Sequence, residues 1–111
     1  MKLLDLEPRF RRIETDADGR DVYPAAGGLV AAQGLLFLCP VCFTANGGPI
    51  GTHSVLVWFR DRGVPDAKMP GPGRWTATGT GYLDLTLSPS IHLSGEGGCG
   101  WHGQVTAGEV T

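Results

Sequence analysis

The sequence lacks a long hydrophobic run and an excess of basic residues, and both absences exclude classes of protein. Its longest apolar stretch, GLVAAQGLLFLCP, is broken by Gly34 and is shorter than the roughly 20 apolar residues of a membrane-spanning helix. Nine basic and eleven acidic side chains give a net charge of −2, whereas proteins that bind nucleic acid through its phosphates are usually basic. The sequence therefore predicts no membrane association and makes nucleic acid a poor partner.

Cysteine is also scarce, with three residues in the chain. An odd number of cysteines is not typical of a disulfide framework. The first residues, MKLLDLEPRF, contain one lysine, a short apolar run and acidic residues, unlike a secretory signal peptide. We therefore expect a reducing compartment and a cytoplasmic protein.

Glycine and proline are abundant, with 18 and 8 residues, but the glycines have no fixed period. Apolar runs separate them, which indicates turns and loops around a folded core. At 111 residues the chain has the length of one domain, and we predict a single domain over residues 1–111.

The apolar runs have the alternation of strands, and no stretch has a convincing helical period. HSVLVWFR (53–60) is apolar on both faces, which predicts a central strand. In YLDLTLSPSIHL (82–93), Leu83, Leu85 and Leu87 are expected to point inward, with an edge, bulge or break at Pro89. Shorter strands are expected in LLDLEPRFRRIET, in GLLFLC and in GQVTAGEV, the last with a hairpin turn at 107–108. The predicted fold is all-β, a small antiparallel sheet or sandwich with long Gly/Pro-rich loops.

Two loops are long for a compact domain. Residues 62–81 contain three prolines and five glycines, and within them Trp75 and Arg74 are the residues we expect to contact a partner. The second loop, LSGEGGCGWHG, is rich in glycines that would let the backbone wrap around a metal ion.

The three cysteines belong to two matched motifs, Cys39-Pro-Val-Cys42 and Cys99-Gly-Trp-His102. A two-residue spacer lets a tight turn direct two ligands to one point, and two such turns complete a tetrahedron. Three thiolates and one imidazole suit Zn²⁺, so Cys39, Cys42, Cys99 and His102 are the predicted ligands of a structural zinc ion. His53 and His92 are alternatives for the fourth ligand. The competing interpretation is a redox pair at Cys39 and Cys42, which is disfavoured because such motifs usually open a helix and FTANGG looks turn-like.

The sequence contains none of the common catalytic motifs. Four protein ligands leave no open position on a zinc ion, which favours a non-enzymatic binding module with a protein partner. One alternative is a zinc-dependent hydrolase in which water replaces one thiol and His53 or Asp84 acts as base. A second is a zinc-ribbon protein that binds nucleic acid.

The segments FLCPVCF, GTHSVLVWF, GPGRWTATGTG, LTLSPSI and GGCGWHG together resemble a family of small uncharacterised proteins of bacteria and bacteriophages. The resemblance covers most of residues 35–110. It implies a metal-bound β-domain and a phage origin, but no reaction. By position, Cys39, Cys42, Cys99 and His102 match the family's metal pattern. Some members are named ammonia monooxygenase, which we reject because that enzyme is a copper-dependent membrane assembly.

Overall fold

The computed structural model describes residues 1–71, 73–93 and 99–111, and strands dominate it. A 3-10 helix (Leu3–Leu6) comes first, and the described residues contain one α-helix, α1 (Pro40–Asn46). The strands are β1 (Arg9–Arg11), β2 (Glu14–Thr15), β3 (Asp21–Val22), β4 (Gly34–Leu38), β5 (Ser54–Trp58), β6 (Thr76–Thr78), β7 (Thr86–His92), β8 (His102–Thr106) and β9 (Glu109–Val110). In these ranges no helix has the length and apolar character needed to cross a bilayer.

The strands form three antiparallel sheets, with the orders β1-β4-β5, β2-β3 and β6-β7-β8-β9. Among the described residues, one backbone bridge links the two larger sheets: Phe59 bridges to Trp75, which joins the end of β5 to the start of β6. A second bridge, between Lys2 and Glu109, pairs the segment before the 3-10 helix with β9. The prediction of an all-β fold built from small antiparallel sheets is confirmed.

One hydrophobic core lies between the larger sheets. It combines β4 and β5 side chains with those of β7 and β8, and the rings of Phe37 and Trp101 meet edge to face at 6.0 Å between centroids. Both motifs that contain cysteine therefore lie at the ends of strands that pack on a common core.

The C-terminal strands follow the sequence pattern closely. Ala107 and Gly108 have φ values of 47° and 79° and connect β8 to β9 by the predicted tight turn. The register between β7 and β8 shifts between Leu87 and Ile91, around Pro89, as expected for a residue that cannot donate to the ladder. Leu85 and Leu87 are buried as predicted. Leu83 is 76% exposed, because β7 begins only at Thr86, and the prediction that Leu83 points inward was therefore wrong.

The segment HSVLVWFR forms β5, which is buried on both faces as expected. Val55, Val57 and Phe59 lie on one face, and Trp58 is buried on the other. The middle strand of this sheet, however, is β4, while β5 borders it and continues towards β6 through the bridge at Phe59.

The helix α1 is the main departure from the predicted fold. Pro40 occupies the first turn, where its missing N–H and fixed φ are tolerated, and Gly47 ends the helix with φ 69°. This helix opens inside the CPVC motif. The argument against a redox pair that relied on a turn after Cys42 was therefore wrong.

The segment 62–81, which was predicted to be a loop, contains the strand β6, and the irregular part before this strand is held in place by its own side chains. Arg74 donates to five backbone carbonyls, those of Pro65, Asp66, Lys68, Pro70 and Gly73, at 2.8–3.4 Å. Trp75 is half-buried against the core, and its indole N–H donates to the Ser90 carbonyl at 3.4 Å. The fold thus uses both side chains internally, and their contact with a partner stays a prediction.

A close approach of β4 and β5 explains why residue 34 is a glycine. A Cβ atom at this position would lie 2.6 Å from Cε3 of Trp58 and 2.8 Å from the Val57 carbonyl oxygen. We expect Gly34→Ala to destabilise the protein by about 1–3 kcal/mol, because either the indole or the strand must move. Gly27→Ala is the matched control, since its Cβ would meet no atom of the described residues within 4 Å. Urea unfolding of both variants tests this, and equal midpoints would contradict the packing argument.

Candidate metal centre

Four side chains meet at one end of the β4–β5 pair. Their potential ligand atoms, the Sγ atoms of Cys39, Cys42 and Cys99 and one imidazole nitrogen of His53, all lie within 4.8 Å of one another. The three cysteines are free thiols, and the Sγ atoms of Cys39 and Cys99 are 3.4 Å apart. This distance is well beyond the roughly 2.05 Å of a disulfide bond. Among the residues that the structure describes, this is the one cluster of three or more such ligands.

Strand pairing brings Cys39 and His53 together. The β4–β5 ladder ends with Leu38 opposite Ser54, and the next residues continue it, since the Cys39 N–H donates to the His53 carbonyl at 3.0 Å. Cys39 therefore follows the last residue of β4 and His53 precedes the first residue of β5. In an antiparallel pair these two positions are neighbours.

The first turn of α1 positions Cys42. Cys39 is the N-cap, and its carbonyl accepts the N–H of Phe43 at 2.9 Å, which closes the turn. Residues three apart lie on the same side of a helix, so Cys42 is directed back towards Cys39. Cys39 is fully buried and Cys42 is half-buried, so this part of the cluster is sheltered from solvent.

The hairpin formed by β7 and β8 brings in Cys99. Beyond the paired strands, the Leu93 N–H donates to the Trp101 carbonyl at 2.8 Å and the Gly100 N–H donates to the Leu93 carbonyl at 2.9 Å. Gly100 has φ 81°, a conformation that favours glycine, as expected for the CGWH turn. Of the other predicted loop glycines, Gly103 lies in β8, and those at positions 95, 97 and 98 lie outside the described residues. Cys99 is exposed and closes the cluster from its solvent side.

His102 does not join this cluster. It is the first residue of β8, where Trp101 points into the core and His102 points out to solvent. Its Nε2 atom lies 3.1 Å from the Ser90 hydroxyl, and its ring stacks on His92 with centroids 4.9 Å apart. The structure therefore does not bring His102, the expected fourth ligand, to the cysteines. It places His53, one of the two alternatives, beside them, and both His102 and His92 lie outside the cluster.

The close thiols change one another's acidity. Burial and then the neighbouring sulfurs of Cys99 and Cys39 raise the pKa of Cys42 to about 11. The backbone N–H of Trp101, followed by the imidazole of His53, lowers the pKa of Cys99 to about 7. The exposed Cys99 thus carries negative charge most easily, while a further negative charge on Cys42 is disfavoured. A cation bound among the three sulfurs would remove this penalty.

Besides the pKa values of the cysteines, the imidazole of His53 also indicates that a metal ion can bind at this site. Its Nε2 atom is buried and has no hydrogen-bond partner among the described residues. A buried polar atom without a partner costs about 1–3 kcal/mol, and a metal ion bound at Nε2 would remove that cost. Four Cys/His ligands in this arrangement could hold a metal ion.

Asp84, considered as a base in a hydrolase, lies elsewhere and has a local structural role. Its carboxylate accepts the backbone N–H groups of Thr80 and Gly81 and the Thr80 hydroxyl, each at 2.9 Å. These hydrogen bonds, led by that from the Thr80 backbone, lower the pKa of Asp84 below its ordinary value. Asp84 is therefore part of a turn and is absent from the ligand cluster.

No known protein family, curated protein or solved structure matches the chain. The family resemblance drawn from the sequence motifs therefore stays a prediction, and so does the phage origin that it implies.

Proposed function

We propose that Cys39, Cys42, His53 and Cys99 bind one zinc ion and that the protein is a non-enzymatic, zinc-stabilised module that binds a protein partner. The observation that carries the proposal is the mutual approach of four ligand atoms to within 4.8 Å. These ligands come from three separate segments of the chain, and Cys39 and Cys99 are 60 residues apart.

The donor set and its dimensions support zinc as the metal. Thiolate and imidazole are ligands that zinc prefers, at about 2.3 Å and 2.0–2.1 Å. In a tetrahedron with those bond lengths, neighbouring sulfur atoms lie ~3.7 Å apart. The Cys39–Cys99 distance of 3.4 Å and the 4.8 Å upper limit for all ligand atoms bracket that value. Only small side-chain movements are needed to form the site.

A structural role is favoured over catalysis. Four protein ligands fill the tetrahedral coordination of zinc, whereas a catalytic zinc keeps one position for water or substrate. In a hydrolase, His53 would be needed as a base, but here it is one of the four ligands. The zinc ion would connect the end of β4, the start of β5 and the hairpin before β8, and so hold the two larger sheets together.

The redox interpretation is less well supported, even though α1 opens inside the CPVC motif. A dithiol of this kind needs two cysteines, and the structure surrounds Cys39 and Cys42 with a third thiol and a histidine. A redox pair has no use for these two additional residues, whereas a four-coordinate metal site needs them as ligands.

A protein is the partner that the charge and surface favour. The net charge is −2, which opposes nucleic-acid binding, and the long loop presents Met69 to solvent beside the buried Trp58. A cytoplasmic location and a role as a phage accessory protein, both suggested by the sequence, belong to the same proposal.

Cobalt substitution tests whether the site is closed. Co²⁺ in place of zinc is expected to give the visible spectrum of a four-coordinate ion with thiolate ligands. That spectrum should be unchanged by an excess of azide, because no coordination position is free. A spectral shift on addition of azide would show an open position and would favour the hydrolase over the structural module. A cobalt spectrum without thiolate bands would exclude the cysteine cluster as the place where the metal binds.

A further inference from the structure

The solvent-facing surface of the β7–β8 hairpin carries two more side chains of a type that can bind metal ions. His92 and His102 are directly opposite each other on the two strands, and both are exposed. Their rings stack with centroids 4.9 Å apart and planes inclined by 27°. The cysteine cluster does not include either of them.

The strand ladder places these two side chains unusually close. Leu93 donates its N–H to the Trp101 carbonyl, so by the alternation of an antiparallel ladder the neighbouring pair His92–His102 is non-hydrogen-bonded. Side chains are closest in such pairs, with Cβ atoms about 4.5–5.5 Å apart. Ser90 adds a hydroxyl 3.1 Å from the His102 Nε2 atom.

The core does not require these histidines. Ile91 and Trp101, their neighbours in sequence, are buried and point to the opposite face of the sheet. Because alternate residues of a strand face opposite sides, His92 and His102 are directed into solvent, where an ion can reach them. The imidazole nitrogens are thus available without disturbing the fold.

We propose that His92 and His102 form a second metal site, which takes a borderline divalent ion such as Ni²⁺ or Cu²⁺. Imidazole suits these ions, and two nitrogens bound at 2.0–2.1 Å to one ion lie about 3 Å apart or slightly more. Rotation of the stacked rings about their side-chain bonds brings a nitrogen of each to that separation. Water and the Ser90 hydroxyl complete the coordination. This site is independent of the zinc proposed at the cysteine cluster.

Nickel titration of the zinc-loaded protein, prepared without a histidine tag, tests the second site. Ni²⁺ is the probe because, unlike Cu²⁺, it does not oxidise thiols. Calorimetry is expected to show one Ni²⁺ bound per chain with no release of zinc. His92→Ala and His102→Ala should each weaken binding by more than the roughly tenfold to hundredfold that changes to outer-shell residues cause. Gln104→Ala, at an exposed position in β8, is the matched control and should bind as the wild type does.

Three other outcomes of the nickel titration would overturn the proposal. Nickel binding that both alanine variants retain would place the ion elsewhere, and the absence of nickel binding to the wild type would exclude the site. Release of zinc in proportion to the nickel added would show that nickel enters the cysteine cluster. Circular dichroism of the variants confirms that they are folded, as expected for exposed side chains.

Discussion

Replacement of Cys39 by serine is expected to remove zinc from the protein and unfold it at room temperature. Cys39 has no exposed surface, is the N-cap of α1 and touches the Cys99 thiol. Zinc binding at structural sites contributes on the order of 10 kcal/mol or more, which is comparable to the whole stability of a small domain. Serine is close to cysteine in size, so a cavity would explain little of the effect.

Val41→Ser provides the control for this substitution. It lies in the same turn and changes an exposed side chain that the cluster does not use, so zinc content and melting temperature should be nearly unchanged. Wild-type protein treated with a chelator should resemble Cys39→Ser. The account would be contradicted by a Cys39→Ser protein that holds one zinc per chain and has the stability of the wild type.

Replacement of Trp58 by alanine is expected to cost about 3–5 kcal/mol, the usual range for a large buried aromatic. Its side chain is completely buried, and its indole N–H donates to the Met69 carbonyl at 2.9 Å. The indole therefore covers the face of β5 that is turned away from the core, where it packs against the Tyr23 ring at 5.6 Å between centroids and holds the segment around Met69. Trp58→Ala should both lower the free energy of unfolding in urea and make that segment more sensitive to a protease.

Trp58→Phe separates the two roles of the indole. Phenylalanine keeps most of the apolar contact but cannot donate to Met69, so its stability should lie between those of the wild type and Trp58→Ala. Val30→Ala, at a side chain 96% exposed, should have almost no effect. A Trp58→Ala protein within about 0.5 kcal/mol of the wild type would contradict the assigned role, since that is the range of surface substitutions.

Local signals in the sequence were sufficient for most strands. The alternation in β5, the proline in β7 and the tight turn at Ala107 and Gly108 each depend on neighbouring residues. The meeting of the three cysteines at one site was also predictable, because two short motifs that together use every cysteine indicate a common site.

The helix α1 and the histidine ligand depend on longer-range contacts. The helix has seven residues, too few for an apolar period, and tertiary contacts decide such short elements. The spacing Cys99-x-x-His102 suggested a ligand, but strand alternation turns His102 outward once Trp101 is in the core. The position of His53 had a usable signal. If GLLFLC and HSVLVWFR pair antiparallel, the end of the first meets the start of the second, which puts Cys39 beside His53.

The segment 62–81 could not be predicted from composition. Its glycines and prolines indicated irregular backbone, but they do not show that one arginine collects five carbonyl groups. Arg74 is therefore committed to the conformation of the loop, and a contact between its guanidinium group and a partner would have to compete with those hydrogen bonds.

The zinc content of His53→Ala and His102→Ala, measured by elemental analysis together with thermal unfolding, shows which histidine binds the metal ion with the three cysteines. The account predicts that His102→Ala keeps one zinc per chain and the wild-type melting temperature, because His102 faces solvent on β8. His53→Ala should lose zinc or bind it much more weakly, with a large fall in melting temperature, because it removes one of the four proposed ligands. Loss of zinc in His102→Ala with full retention in His53→Ala would contradict the account.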